Sequence, residues 1–273
     1  MSRIAGRFQQ LAAQGRTALI PYIVAGDPSQ DITVPLMHRM VESGADIIEI
    51  GVPFSDPMSE GPVIQQGHER ALANGMCLSR VLELVQEFRK SDDTTPLLLM
   101  GYANPVMHMG YAAFADAASA AGLDALLTVD IPPEEVDDIK AQLERVGIDN
   151  IFLVAPTTPE ERIKRIAAGA SGFIYYVSLK GVTGAGHMDS DEVAQRLAAI
   201  RRHSTLPLAV GFGIKDADSA RAVAAVADGV VVGSALVNAM AQTLADGGNP
   251  GQAIEAVAAL LGEIRKGIDN AAS

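Results

Sequence analysis

The chain has 273 residues, of which 48% are hydrophobic, and this length and composition predict one barrel-sized domain spanning residues 1–273. Its net charge of −12 at pH 7 repels nucleic-acid backbones and anionic lipids, so we expect neither nucleic acid nor a membrane as a partner. A lone cysteine, Cys77, excludes an internal disulfide and a multi-cysteine metal site, and it favours a reducing, cytoplasmic location.

The first predicted element is a short amphipathic helix close to the N-terminus. Ile4, Phe8 and Leu11 recur at helical spacing, and the segment lacks the continuous apolar run of a signal peptide. We expect this helix to cover part of the domain.

Eight short apolar segments, several of them rich in β-branched residues, predict strands. In chain order they are Ala18–Val24, Asp46–Gly51, Leu97–Tyr102, Ala125–Asp130, Ile151–Ala155, Phe173–Ser178, Leu208–Phe212 and Gly229–Gly233. Charged stretches of helical period lie between them, including Leu78–Lys90, Pro133–Val146, Glu160–Ala168, Asp191–Arg202 and Ala217–Ala227. Strand followed by helix, eight times over, is typical of an α/β parallel (β/α)8 TIM barrel, and an open doubly wound sheet is the alternative.

Glu49 is the most unusual residue in these strands, because it lies in the apolar run Ile47–Gly51. Burying an ionised carboxylate there costs several kcal/mol unless a ligand, a partner or a raised pKa compensates, and such acids cluster at functional sites. A solvated glutamate on the outer face is the alternative. The long segment after this strand contains the loop Pro53–Pro62, whose Glu60 is a second acid able to share proton transfers with Glu49.

Other candidate residues also lie at predicted strand ends, where barrels form their active sites. Four aromatic residues, Tyr22, Tyr102, Tyr175 and Phe212, predict a flat apolar pocket, with core packing as the alternative for each of them. Asp130 is expected to cap or anchor a loop. The five histidines show no metal spacing, and His187 alone falls in an expected site loop, so we predict no metal.

Three glycine-centred segments follow the last three predicted strands, at residues 181–186, 211–214 and 233–235. Glycine lets the backbone approach a ligand, and the N–H groups at a helix N-terminus bind phosphate without lysine or arginine. The predicted phosphate ligands, all in these segments, are Gly184, Gly213, Gly233 and Ser234.

The motifs Glu49-Ile-Gly-Val-Pro-Phe-Ser-Asp-Pro, Gly61-Pro-Val-Ile-Gln, Met100-Gly-Tyr-Ala-Asn-Pro, Gly181-Val-Thr-Gly, Gly211-Phe-Gly and Gly233-Ser-Ala resemble, in order and position, those of the tryptophan synthase α subunit family. The resemblance runs from about Pro21 to Val237 and covers essentially the whole predicted barrel. It implies a lyase that cleaves indole-3-glycerol phosphate, a phosphate ester, to indole and glyceraldehyde 3-phosphate without a cofactor. It also implies an α2β2 heterotetramer with a β subunit that carries pyridoxal phosphate and makes tryptophan.

The resemblance assigns roles to individual residues of this chain. Glu49 matches the family's acid/base, and Tyr175 matches its active-site tyrosine. Thr183 matches the threonine that closes a mobile loop, while Asp56 and Pro57 match a segment that faces the β subunit. The matched substrate and phosphate contacts are Gly184, Phe212, Gly213, Gly233 and Ser234.

Glu60 departs from the family, which usually has aspartate at this position. The extra methylene displaces the carboxylate by about 1 Å, a shift that affects rate unless the loop adjusts to it. Two other functions remain open: a different phosphate-binding barrel enzyme of histidine or thiamine biosynthesis, and a catalytically weak subunit that activates a partner.

Overall fold

The computed structural model describes residues 2–177, 190–211 and 213–271, which form eight strands and twelve helices. The strands are β1 (Ala18–Val24), β2 (Ile48–Gly51), β3 (Leu97–Gly101), β4 (Ala125–Thr128), β5 (Asp149–Val154), β6 (Ile174–Val177), β7 (Leu208–Gly211) and β8 (Gly229–Val232). The helices are α1 (Arg3–Ala13), α2 (Gln30–Glu42), α3 (Pro62–Ala73), α4 (Leu78–Arg89), α5 (Ala103–Met109), α6 (Tyr111–Ala121), α7 (Asp137–Val146), α8 (Glu160–Gly169), α9 (Ser190–Arg201), α10 (Ala217–Ala224), α11 (Ser234–Ala245) and α12 (Pro250–Asp269). No helix in the described ranges combines the length and hydrophobicity needed to cross a bilayer.

The eight strands form a closed barrel in sequence order, and every neighbouring pair is parallel. This confirms the predicted (β/α)8 barrel and excludes the open sheet. Every strand except β5 is buried along its whole length, because the barrel interior covers one face and the surrounding helices cover the other. Because the strands are buried on both faces, their sequences are continuous runs of apolar residues.

Helix α1 closes the N-terminal end of the barrel. Its apolar face, Ile4, Phe8 and Leu11, is buried, and the ring of Phe8 lies 5.7 Å from that of Phe173. Phe8 also packs beside Gly229 at the start of β8. The predicted covering helix is therefore confirmed, and the opposite, C-terminal end of the barrel is left for the functional site.

Acidic residues at the start of three strands stabilise the N-terminal end. Asp46, Asp124 and Asp228 each accept a backbone N–H from the preceding strand, at 2.9, 2.8 and 2.8 Å. The first two are also paired with arginines, Asp46 with the buried Arg265 at 3.1 Å and Asp124 with the partly buried Arg89 at 2.7 Å. Strand β2 begins at Ile48, so Asp46 precedes it, whereas the sequence predicted Asp46 as the first residue of that strand.

Several predicted boundaries differ from the structure. Strand β4 ends at Thr128, two residues earlier than predicted, and β3 ends one residue before Tyr102. Helix α7 begins at Asp137, four residues later than predicted. The excess length between β2 and β3 includes an additional helix, α3, as well as the loop that contains Glu60. This helix packs against β1 and α11.

Candidate active site

Glu49 lies in β2 and is fully buried. Neither of its carboxylate oxygens has a hydrogen-bond partner among the residues that the structure describes. Burial raises the pKa of Glu49 from 4.5 to about 8, and the nearby carboxylate of Glu60 adds to this effect. Glu49 is therefore mostly protonated at neutral pH, and it is an acid poised to give a proton and take one back.

Glu60 lies in the loop between β2 and α3 and is 7% exposed. Its Oε2 accepts three hydrogen bonds, from Tyr102 Oη at 2.5 Å and from the backbone N–H and Oγ of Ser59, both at 3.2 Å. Oε1 receives none from the described part of the chain. These contacts fix the carboxylate while one of its oxygens remains free to accept a hydrogen bond from a ligand.

Tyr102 connects this loop to the end of β3. Its hydroxyl accepts the backbone N–H of Met58 at 2.9 Å and donates to Glu60, while its ring stacks on Phe54 with centroids 4.8 Å apart. Burial and the hydrogen bond to Glu60 raise the pKa of Tyr102 to about 12. The phenol is thus a neutral donor, which the hydrogen bond to a carboxylate requires.

Two other tyrosines lie over glycines at the ends of neighbouring strands. A Cβ on Gly51 would lie 2.1 Å from Tyr22 Oη, and one on Gly211 would lie 2.2 Å from Tyr175 Oη. Burial raises the pKa of both phenols well above the usual range. Tyr22 is also in register with Glu49. The missing side chains of the two glycines therefore let neutral hydroxyl groups reach the mouth of the barrel.

His68 belongs to this cluster, although the sequence pointed to His187, which lies outside the described residues. His68 is a buried residue of α3, and its Nδ1 accepts the backbone N–H of Phe54 at 3.0 Å. Its Nε2 lies 3.3 Å from Tyr22 Oη. Burial lowers the pKa of His68, and the carboxylate of Glu60 opposes this only in part, so the imidazole is neutral.

A candidate anion site lies at the neighbouring ends of β7 and β8. Gly213 follows β7 with φ +77°, a backbone conformation that favours glycine. Gly233 is the N-cap of α11, and Ser234 is the exposed first residue of this helix. N–H groups in the first turn of a helix have no intrahelical acceptor, and the helix dipole attracts negative charge.

Three other predictions concern the mobile-loop and substrate contacts, the loop anchor Asp130 and a metal site. Thr183, Gly184 and Phe212 lie outside the described residues. Asp130 anchors a loop as expected, because its Oδ1 accepts the backbone N–H of Ala103 at 2.7 Å. In the described ranges, no group of three or more His, Cys, Asp or Glu side chains is arranged to hold a metal ion.

Asp56 and Pro57 lie in the same loop as Glu60. Asp56 is exposed and Pro57 is partly exposed. Met58, which follows them, is 79% exposed although it is a large apolar residue. The sequence motif did not point to Met58, since exposure of a single methionine leaves no periodic signal.

Comparison with known proteins gives a consistent result. The family model described as "Tryptophan synthase alpha chain" matches residues 8–268. The tryptophan synthase alpha chain of Thioalkalivibrio sulfidiphilus is 61% identical over 269 residues, which cover 98% of this chain and all of that protein. The alpha chain of Nitrosococcus oceani is 56% identical and covers 98% of each chain.

Solved structures agree in fold as well as in sequence. The crystal structure of tryptophan synthase subunit alpha from Legionella pneumophila superposes with a TM-score of 0.92 at 44% identity, over 99% of both chains. An aminoacrylate-bound tryptophan synthase structure from M. tuberculosis contains a chain that superposes with a TM-score of 0.86 at 34% identity, over 98% of this chain and 100% of that one.

Proposed function

The chain belongs to the tryptophan synthase alpha chain family, and we propose that Glu49, Glu60 and Tyr175 carry out its reaction at the mouth of the barrel. As a member of this family, it is a carbon–carbon lyase that cleaves indole-3-glycerol phosphate to indole and glyceraldehyde 3-phosphate. The observation that carries the residue assignment is the fully buried carboxyl group of Glu49, whose pKa is raised to about 8.

Glu49 gives a proton and recovers one in each cycle. Its carboxylic acid protonates C3 of the indole, which places positive charge on the ring nitrogen. The resulting carboxylate then removes the proton from the hydroxyl on the carbon attached to the ring. The carbon–carbon bond breaks, its electrons return to the ring and neutralise the cation, and the hydroxyl oxygen becomes the aldehyde oxygen. Glu49 is protonated again, so protons and electrons balance.

Glu60 stabilises the cationic intermediate. Its Oε2 is fixed by Tyr102 and Ser59, so Oε1 is the oxygen available to accept the ring N–H. An acceptor that is already oriented needs no reorganisation when charge develops on the ring. The hydrogen bonds around Glu60 also support the longer side chain in place of the family's aspartate, since they hold its carboxylate in one position.

The substrate lies between these acids and the β7–β8 end of the barrel. The aromatic wall comprises Tyr22, Tyr102, Tyr175 and Phe212. The phosphate is bound by Gly184, Gly213, Gly233 and Ser234, of which Gly213 and Ser234 are exposed at adjacent strand ends. Thr183, which follows β6 in the sequence, also binds the substrate. The net charge of −12 makes such a local anion site necessary, because the protein as a whole repels a phosphate ester.

A tryptophan synthase alpha chain has a β-subunit partner, and alpha chains of this family do not themselves bind pyridoxal phosphate. We infer that pyridoxal phosphate lies in the β subunit and that the two subunits assemble as α2β2. Asp56 and Pro57 contact the partner, and the exposed side chain of Met58 adds apolar surface beside them. The whole chain, residues 1–273, acts as one cytoplasmic domain.

The proposed function is tested by assaying the purified chain alone, without added pyridoxal phosphate, for release of indole from indole-3-glycerol phosphate. We expect turnover by this chain and a further increase when the β subunit is added. Binding of the phosphate ester without cleavage would contradict the catalytic assignment and would support a subunit whose main role is to activate its partner.

A further inference from the structure

The contacts of His68 determine which of its nitrogens carries the proton. A backbone N–H can only donate, so Nδ1, which receives the N–H of Phe54, must be the unprotonated nitrogen. In a neutral imidazole the proton is then on Nε2, which lies 3.3 Å from Tyr22 Oη. His68 therefore donates to the Tyr22 hydroxyl, although this pair of atoms taken alone would allow either direction.

The consequence is that the hydroxyl proton of Tyr22 is not used by His68. Tyr22 donates no hydrogen bond to any other group in the described ranges, although its side chain is almost completely buried. A buried phenol with its proton unused indicates a missing acceptor. Burial also raises the pKa of the Tyr22 phenol well above its usual range, so the proton is present at neutral pH.

The barrel topology indicates what the acceptor is. Strand β1, which carries Tyr22, lies between β8, where the phosphate site begins, and β2, which carries Glu49. A substrate that reaches from Ser234 to Glu49 must therefore place its glycerol chain beside Tyr22. Tyr22 is also in register with Glu49, so the part of the glycerol chain nearest to Tyr22 is the hydroxyl that Glu49 deprotonates.

We propose that the Tyr22 hydroxyl donates a hydrogen bond to this reacting oxygen of the substrate and that His68 is the positioning residue that directs the donation. The inference rests on the proposed function and adds two residues to it. As the substrate hydroxyl loses its proton to Glu49, its oxygen becomes more negative, and a neutral donor binds it more strongly. Tyr22 transfers no proton in this step.

Tyr22→Phe tests the donor, because it removes the hydroxyl and keeps the ring. The kcat for indole-3-glycerol phosphate should fall by about 3- to 10-fold with little change in KM, since the lost hydrogen bond strengthens in the transition state. The matched ligand is 3-(indol-3-yl)propyl phosphate, which lacks the chain hydroxyls. Its dissociation constant, measured by calorimetry, should not change. An equal loss for both ligands, or an effect confined to KM, would overturn the inference.

Two variants of His68 test the positioning role separately. His68→Asn keeps an acceptor for the N–H of Phe54 but is too short to reach Tyr22, whereas His68→Gln places an amide donor near Tyr22. We expect Asn to reduce kcat as much as Tyr22→Phe does, Gln to restore most of it, and Asn to have no further effect when Tyr22 is already Phe. Equal effects of Asn and Gln, or additive losses in the double variant, would overturn the role of His68.

Different variants test the donor role of Tyr22 and the catalytic role of Glu49. If the His68 variants do not fold, as judged by thermal unfolding, the two-ligand comparison with Tyr22→Phe still decides the donor assignment. Unchanged kcat in Tyr22→Phe refutes the donor and leaves Glu49 in place. Retained cleavage in Glu49→Gln refutes the proposed mechanism itself.

Discussion

Glu49→Gln should make the protein more stable at neutral and alkaline pH, even though it removes a catalytic group. The amide has nearly the same shape as the carboxyl group and cannot ionise. Glu49 is fully buried, and its two oxygens have no hydrogen-bond partner in the described structure, so its charged form is poorly accommodated. The folded wild-type protein bears a cost on ionisation that the variant does not.

The size and pH range of this effect follow from the pKa of Glu49. A rise from 4.5 to about 8 corresponds to about 5 kcal/mol. Between these two pH values the unfolded chain has lost the proton and the folded protein retains it, so wild-type stability decreases as pH rises. Above pH 8 both states are ionised and the dependence ends. The variant should therefore gain about 1.4 kcal/mol per pH unit relative to wild type across this window.

The assay is urea unfolding of both proteins at pH 5.5 and at pH 7.5. The difference between their free energies of unfolding should shift in favour of Glu49→Gln by about 3 kcal/mol between these two conditions. Using the difference removes the contribution of every other titrating group, since both proteins share them. A difference that does not change with pH would refute the raised pKa and, with it, the poised acid.

Five other substitutions test the rest of the site. Gly213→Asp or Ser234→Asp should weaken binding of the phosphate ester in calorimetry by placing negative charge at the anion site, while affinity for free indole stays unchanged; equal losses would show that the phosphate binds elsewhere. Glu60→Gln should lower kcat by about 10²-fold with little change in KM, because its interaction strengthens as the ring nitrogen becomes positive. Glu60→Asp should also be slower in the same assay, since the loop hydrogen bonds hold the longer side chain; a neutral or faster variant would mean that the loop merely tolerates glutamate. Gly51→Ala should reduce both the melting temperature and kcat/KM, because its Cβ would lie 2.1 Å from Tyr22 Oη; unchanged values would contradict the close approach.

The barrel could be predicted from the sequence because strands buried on both faces leave continuous apolar runs between helices of regular period. The ends of the elements were less predictable. Asp46 and Asp130 lie next to apolar segments, but each forms its hydrogen bond with a different part of the barrel, Asp46 with Leu19 and Asp130 with Ala103. Such long-range contacts lie at the beginnings and ends of strands, and they leave no local pattern in the sequence.

A residue of the site could be predicted where its side chain differs in polarity from the residues around it in the sequence. Glu49 was noticeable because a charged residue interrupts an apolar strand. His68 gave no such signal, since it lies on an amphipathic helix and its partners Phe54 and Tyr22 are 14 and 46 residues away. The pairing of Tyr22 with Gly51 likewise depends on the register of two strands, which a sequence motif does not specify.

Proton transfer by the buried carboxyl group of Glu49 is tested most directly by single-turnover cleavage of indole-3-glycerol phosphate by the Glu49→Gln variant. The rate of indole formation should fall by about 10²- to 10⁴-fold, while the dissociation constant of 3-(indol-3-yl)propyl phosphate stays the same, because the amide keeps the shape of the side chain and loses proton transfer. A variant that keeps more than about half of the wild-type rate would contradict the claim, since a general acid/base cannot be lost at so small a cost.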